Sequence, residues 1–175
     1  MVIGITGSFG AGKTTVAKIF KRLGVKIIDC DRIVHSLVAR KMRFELSKFV
    51  FNHKIYLTRL NRIVHPVVIR MIKEEIRNLK RKDSAIIIDA PLLIETRLNR
   101  ICDAIICVKT NPNTQILRVM KKTNLNREDI LKRIRCQLPL NKKLKRVDFV
   151  IDNSGTLTQT KDQAEKIWRK IRRRY

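Results

Sequence analysis

From residue 2 to residue 16 the chain reads VIGITGSFGAGKTTV, and no other stretch restricts the possible folds as much. Apolar Val2, Ile3 and Ile5 lead into Gly7-Ser8-Phe9-Gly10-Ala11-Gly12-Lys13-Thr14, which fits G-x-x-x-x-G-K-[ST]. An amphipathic pattern of Val16, Ala17, Ile19, Phe20 and Leu23 leads out. The order is strand, phosphate loop, helix. The glycines allow a tight turn that aims backbone N–H groups inward, and the helix start adds free N–H groups and a positive dipole end. Lys13 then reaches the β/γ-phosphates and the Thr14 hydroxyl ligates Mg²⁺. Because the motif has its required strand before and helix after, nucleoside triphosphate binding is the reading it supports, over a turn that merely packs a helix on a strand.

The rest of the chain repeats the strand and helix alternation. Val25-Lys26-Ile27-Ile28 suits a second strand that delivers Asp29-Cys30-Asp31 to the following loop. Carboxylates at the C-terminal edge of a parallel strand sit where open α/β sheets hold ligands. There Asp31 or Asp29 can orient or deprotonate a substrate hydroxyl, or simply cap the next helix, and the local pattern leaves both readings open. Ala85-Ile86-Ile87-Ile88 is a third strand ending at Asp89-Ala90-Pro91, with the same choice between a Mg²⁺-organising carboxylate and a turn cap. Ala104 to Val108 and Val147 to Asp152 supply the fourth and fifth strands. Residues 32–64 read as helical with a break near Arg40 to Arg43, and Leu46, Phe49 and Val50 on one face. Pro66, lacking an N–H, is expected in the first turn of a new helix running through Leu79, with His65 just outside it. Residues 113–137 are helical and basic, and carry Arg118, Lys122, Arg133 and other cations. A helix with Ala164, Ile167, Trp168 and Ile171 on its inner face closes the chain. Five strands alternating with helices imply a parallel doubly wound sheet.

Composition narrows the setting. The 175 residues suit one domain with a modest insertion. No run approaches the roughly 18 to 20 apolar residues of a membrane span. The opening residues lack a signal pattern, so a cytoplasmic location is expected. Cys30, Cys102, Cys107 and Cys136 form no C-x-x-C pair, which suggests reduced, mostly buried thiols without disulfides or a structural metal. A net charge of +25 raises the local concentration of polyanions without choosing among nucleotides, phosphorylated substrates and nucleic acid.

Five signatures in order, GITGSFGAGKTTVAKIF, IDCDRIVH, LNRIVHP, DAPLLIE and RIRCQLPLNKK leading to VDFVIDNSG, make the chain resemble the dephospho-coenzyme A kinases over nearly its whole length. The resemblance implies a three-layer P-loop kinase fold: a five-stranded parallel sheet flanked by helices, with a helical lid and a small helical acceptor-binding subdomain. It implies one domain, with a core of residues 1–31, 83–112 and 146–175, an acceptor-binding part at 32–82 and a lid at 113–145. The implied reaction is ATP-dependent phosphorylation of the ribose 3′-hydroxyl of dephospho-CoA, the last step of coenzyme A synthesis, with ATP and Mg²⁺ as cofactors. Carried over by position, Gly10, Ala11, Gly12, Lys13, Thr14 and Thr15 hold the ATP phosphates, Thr14 the metal, and Asp31 accepts the 3′-hydroxyl proton. Arg118 and Arg133 are the matching lid arginines. His65, Pro66, Pro91, Leu92 and Leu93 match the acceptor pocket.

Three departures stand out. The segment between His35 and Arg43 is much shorter than the family's, Lys122 replaces a frequent arginine, and Phe9 is bulkier than the usual residue in its loop position. The small acceptor is expected to be the main partner, without a membrane, without a required nucleic acid, and with the chain a monomer or weak oligomer. The competing readings are another P-loop small-molecule or nucleoside kinase and a basic, nucleotide-switched protein that binds nucleic acid. Few aromatics, 5%, are available to stack bases in the latter.

Overall fold

The computed structural model describes residues 1–41, 54–79 and 85–175, with the side chains of 38–41 and 54–65 outside the described set. The elements run β1 (Val2–Gly7), α1 (Lys13–Arg22), β2 (Lys26–Asp29), α2 (Cys30–Lys41), α3 (Lys54–Leu79), β3 (Ile86–Asp89), β4 (Ala104–Lys109), α4 (Pro112–Lys122), α5 (Arg127–Arg135), α6 (Leu140–Leu144), β5 (Phe149–Asp152) and α7 (Leu157–Arg174). A 3-10 turn at Leu98–Ile101 precedes β4. Among the described residues the strands form one parallel sheet in the order β2-β3-β1-β4-β5. The phosphate-loop strand β1 is central and buried along its whole length.

The strands are nearly continuous apolar runs because both faces of the sheet are covered, as a parallel sheet requires. On one face Ile3, Ile5, Ile87 and Ile106 pack with Val16 and Phe20 of α1 and Ile167 and Ile171 of α7. Phe20 and Trp168 meet edge to face, with ring centroids 6.2 Å apart. On the other face Val2, Ile86, Ile88 and Ile105 pack with Val68, Ile72 and Ile76 of α3 and with Leu93 and Leu98. Alternate residues of β3 thus serve opposite cores. Two aspartates complete the bottom of the sheet: Asp103 accepts from the Val2 N–H at 2.7 Å and Asp148 from the Ile105 N–H at 2.8 Å.

Boundaries differ from expectation at three places: the basic helical stretch is broken between Lys122 and Arg127, the fifth strand starts at Phe149, and the helix expected to open at Pro66 starts earlier. Pro66 lies inside α3, which runs unbroken from Lys54 to Leu79, instead of opening a helix. Without an N–H, Pro66 leaves one helical carbonyl unanswered. The Val68, Ile72 and Ile76 stripe buried on the sheet offsets that local cost. The expected helical residues Leu46, Phe49 and Val50 lie outside the described residues.

Candidate active site

The phosphate loop leaves β1 and turns through Gly10 and Gly12, whose φ values of 78° and 90° lie in the left-handed region that glycine alone occupies freely. A side chain on Gly12 would also collide with the Asn153 carboxamide. That carboxamide ties the loop to the end of β5. Its Nδ2 donates to the Ala11 carbonyl at 2.9 Å, and its Oδ1 accepts from the Thr160 hydroxyl at 3.0 Å. Helix α1 then begins at Lys13 with no side-chain cap at Gly12. The Thr15 N–H already donates to the Gly12 carbonyl at 3.0 Å, so the N–H groups of Lys13 and Thr14 are the ones left at the helix start for an anion.

Around this loop lies a cleft of about 520 Å³ at the C-terminal edge of the sheet. Gly10, Gly12, Lys13, Thr14 and Thr15 form its floor, and Asp29, Asp31, Asp89 and Pro91 one wall. Strand register explains the acidic wall: Asp29 of β2 pairs with Asp89 of β3, and Asp89 with Ile5 of β1. Asp31 follows in the first turn of α2. The three carboxylates differ. Asp29 Oδ1 accepts from the Arg32 N–H at 3.0 Å, so Asp29 does the capping. Asp31 makes no such bond and is turned to the electrostatic field of Lys13. Burial raises its pKa, with Lys13 opposing. Asp89 is buried more deeply, and its Oδ1 has no hydrogen-bond partner. Burial lifts its pKa from 3.8 to about 6 against the pull of Lys13. Lys13 answers in kind: burial lowers its pKa while Asp89 and Asp31 raise it. Its Nζ rests 3.4 Å from the Gly7 and Ser8 carbonyls.

The opposite wall comes from the basic helices. Arg118 and Lys122 of α4 line the cleft. The Arg118 guanidinium donates to the Asn153 and Gly155 carbonyls at 2.5 and 3.3 Å. Arg133 is placed differently, with its guanidinium 5.5 Å above the Phe9 ring and outside the cleft lining. Phe9 links the loop to α4, α5 and Gln137 at several points. Its ring joins Ile116, Val119 and Ile130 in an apolar cluster, its N–H donates to Gln137 Oε1 at 2.8 Å, and its carbonyl accepts from Gln115 Nε2.

The remaining expected acceptor residues separate. Pro91 lines the cleft, whereas Leu92 is 42% exposed away from it. Leu93 does not line it either. It is 0% exposed and packs beneath Gly4 in the core, because the turn after β3 folds that side chain under the sheet. Pro66 lies exposed on α3, and the His65 side chain falls outside the described residues. Asn153, Lys143 and Glu95 carry no role in the sequence reading. The ordered motifs around all three were the available signal. The Cys30 and Cys107 thiols are pushed up to about 12 and about 11 by burial, which leaves them inert.

A parallel 2-3-1-4-5 sheet with a phosphate loop on its central strand, a lysine facing two carboxylates and basic helices across the cleft defines a P-loop phosphotransferase. The fold is shared with a shikimate kinase from Acinetobacter baumannii, at a TM-score of 0.61, 21% identity and coverage of 97% of this chain and 92% of the other. A solved Thermus thermophilus structure superposes with a TM-score of 0.82 at 30% identity, covering 96% and 95% of the two chains. The dephospho-CoA kinase family model matches residues 1–45 and 40–159. A Bacillus cereus dephospho-CoA kinase is 34% identical over 190 aligned positions, covering 95% of each chain. One from Carboxydothermus hydrogenoformans is 34% identical, covering 97% of this chain and 93% of its own. This chain belongs to the dephospho-CoA kinase family. The 190 aligned positions exceed its 175 residues, and the family match restarts at residues 40–45, where the sequence is short.

Proposed function

We propose that the chain transfers the γ-phosphoryl group of ATP to the ribose 3′-hydroxyl of dephospho-CoA, giving coenzyme A and ADP. The observation that carries the reading is the convergence of Lys13, Asp31 and Asp89 on the phosphate loop in a chain of this family. Residues Gly10 to Thr15 hold the phosphates, and Lys13 offsets charge on the transferring group. Asp31 orients the 3′-hydroxyl and takes its proton. Burial raises its pKa against the pull of Lys13, which makes it a better proton acceptor than a free aspartate. Arg118, which lines the cleft, and Arg133, once it leaves the Phe9 ring, close over the transferring phosphates.

The donors also suit Mg²⁺. The unpartnered Asp89 Oδ1, the Thr14 hydroxyl and Asp31 make an all-oxygen set. Among the described residues no three His, Cys, Asp or Glu side chains form a metal cage. That fits an ion which takes most of its ligands from water and substrate phosphates. Bound there, Mg²⁺ neutralises charge developing on the phosphates. Residues 32–82 serve as the acceptor-binding part and 113–145 as the lid of a single domain. No helix of the described residues is long and apolar enough to cross a membrane. We place the enzyme in the cytoplasm, working as a monomer or weak oligomer without nucleic acid.

The test is ADP release by the purified chain with ATP, Mg²⁺ and dephospho-CoA, beside controls lacking an acceptor or offering adenosine. Dephospho-CoA-dependent ADP, with a product phosphorylated at the 3′ position and none from Lys13→Ala, supports the reading. ATP binding without acceptor-dependent turnover refutes it.

A further inference from the structure

Two of the five ordered motifs, DAPLLIE and RIRCQLPLNKK, lie 43 to 52 residues apart in sequence and meet in the fold through one ion pair. Lys143, on α6, is 0% exposed. Its Nζ donates to the Pro91 carbonyl at 2.6 Å and pairs with Glu95 Oε1 at 3.0 Å. The same carboxylate oxygen accepts from the Leu138 N–H at 2.9 Å. The Pro91 carbonyl also accepts from the buried Thr6 hydroxyl of β1, at 3.2 Å. Pro91 is thus the junction of three segments: the phosphate-loop strand, the turn that carries the acidic wall of the cleft, and the return from the lid. Gln137, one residue before Leu138, holds the Phe9 N–H of the loop itself.

The pair is enclosed on one side only, with Lys143 buried and the Glu95 side chain 22% exposed, and such a pair is a poor device for stability, since the cost of desolvating the lysine offsets much of the attraction. An aliphatic residue at 143 would fill the space. It would not donate to Pro91, and it would not set a fixed positive charge near Lys13, whose pKa Lys143 helps to lower.

We propose that Lys143, held by Glu95, is a positioning residue for phosphoryl transfer. It fixes the Asp89 to Pro91 wall against the phosphate loop, and so sets where the acceptor ribose meets the γ-phosphate. The inference rests on the phosphotransfer reading above. Misplacing a reacting group by about 1 Å costs on the order of 10²-fold, so loss of one of the two donors to Pro91 is expected to cost roughly 10-fold or more.

The test uses the full chain and three variants, Lys143→Met, Glu95→Gln and the pair together. For Lys143→Met, kcat/KM for dephospho-CoA should fall at least about 10-fold, while ATP affinity, measured by calorimetry without acceptor, stays within about twofold of wild type. Lys143→Met leaves Glu95 without its cation and should melt lower. The double variant removes both charges and should regain the wild-type melting temperature. Its kinetic defect should persist, because Pro91 still lacks the donor that Lys143 supplied and keeps only the Thr6 hydroxyl. An unchanged kcat/KM in Lys143→Met, a double variant that recovers kcat/KM with its melting temperature, or one that does not regain folding overturns the proposal. A wild-type chain with no acceptor-dependent turnover instead overturns the function it rests on.

Discussion

Asp89→Asn gives the most direct access to how the cleft is built. Most aspartates are held below their ordinary pKa by folding, but burial lifts Asp89 from 3.8 to about 6. The folded chain therefore binds this proton more tightly than the unfolded chain. Stability must fall as pH rises from about 4 to about 6, with the full cost present above that window. At 1.36 kcal/mol per pH unit, the cost at pH 8 is at most about 3 kcal/mol. At pH 4.5 the folded carboxyl is protonated and the unfolded one mostly ionised, so about 1 kcal/mol of it remains. Asparagine keeps the shape and never ionises. Any penalty for burying its amide is the same at both pH values and cancels in the comparison. Urea denaturation of both proteins at pH 4.5 and pH 8 should show Asp89→Asn gaining about 2 kcal/mol relative to wild type on going to the higher pH. For a chain of this size that is a relative rise in Tm of roughly 4 to 8 °C. The variant should meanwhile lose Mg²⁺-dependent turnover. A stability difference that does not change with pH, or that moves the other way, would refute the view that Asp89 is held ionised against its surroundings for function.

Other perturbations report on the neighbouring parts. Asp31→Asn should lower kcat by roughly 10² to 10⁴-fold, with little change in ATP affinity measured by calorimetry; an unchanged kcat removes Asp31 from the chemistry. Asn153→Ala leaves the Ala11 carbonyl without its side-chain donor and should cost about 1 to 3 kcal/mol in urea denaturation, with weaker ATP binding. Phe9→Ala withdraws a ring from the Ile116, Val119 and Ile130 cluster and should cost about 1 to 2 kcal/mol. It should also speed proteolysis between α4 and α6, whereas unchanged cleavage would mean that the ring does not anchor the lid.

Much of this architecture is legible locally. A strand buried on both faces must be apolar throughout, so Ile86-Ile87-Ile88 announces itself, and the aspartate that ends it falls at the sheet edge. Gly10 and Gly12 stand where the loop needs left-handed backbone. Pro66 misleads for an equally physical reason. The local rule weighs one missing N–H, and the rule has no access to the apolar stripe of α3 buried on the sheet. Leu93 misleads similarly, since Leu92 and Leu93 have the same composition and only the course of the turn sends one outward and the other under Gly4.

By itself, then, the sequence determined the order of strands and helices, the phosphate loop, and the carboxylates that each strand delivers to the sheet edge, because these depend on residue type and spacing within a few turns of chain. Only the tertiary structure decided the rest. It set Asp29 to capping and left Asp31 turned to Lys13, because the direction of α2 governs which carboxylate meets its own backbone. It parked Arg133 on Phe9 and bound Asn153 to Ala11. It also buried Lys143 while the adjacent Lys142 stayed exposed. Two neighbouring lysines carry the same local information. Their difference arises from Pro91 and Glu95, far away along the chain, and comes into being only when the sheet brings those segments together.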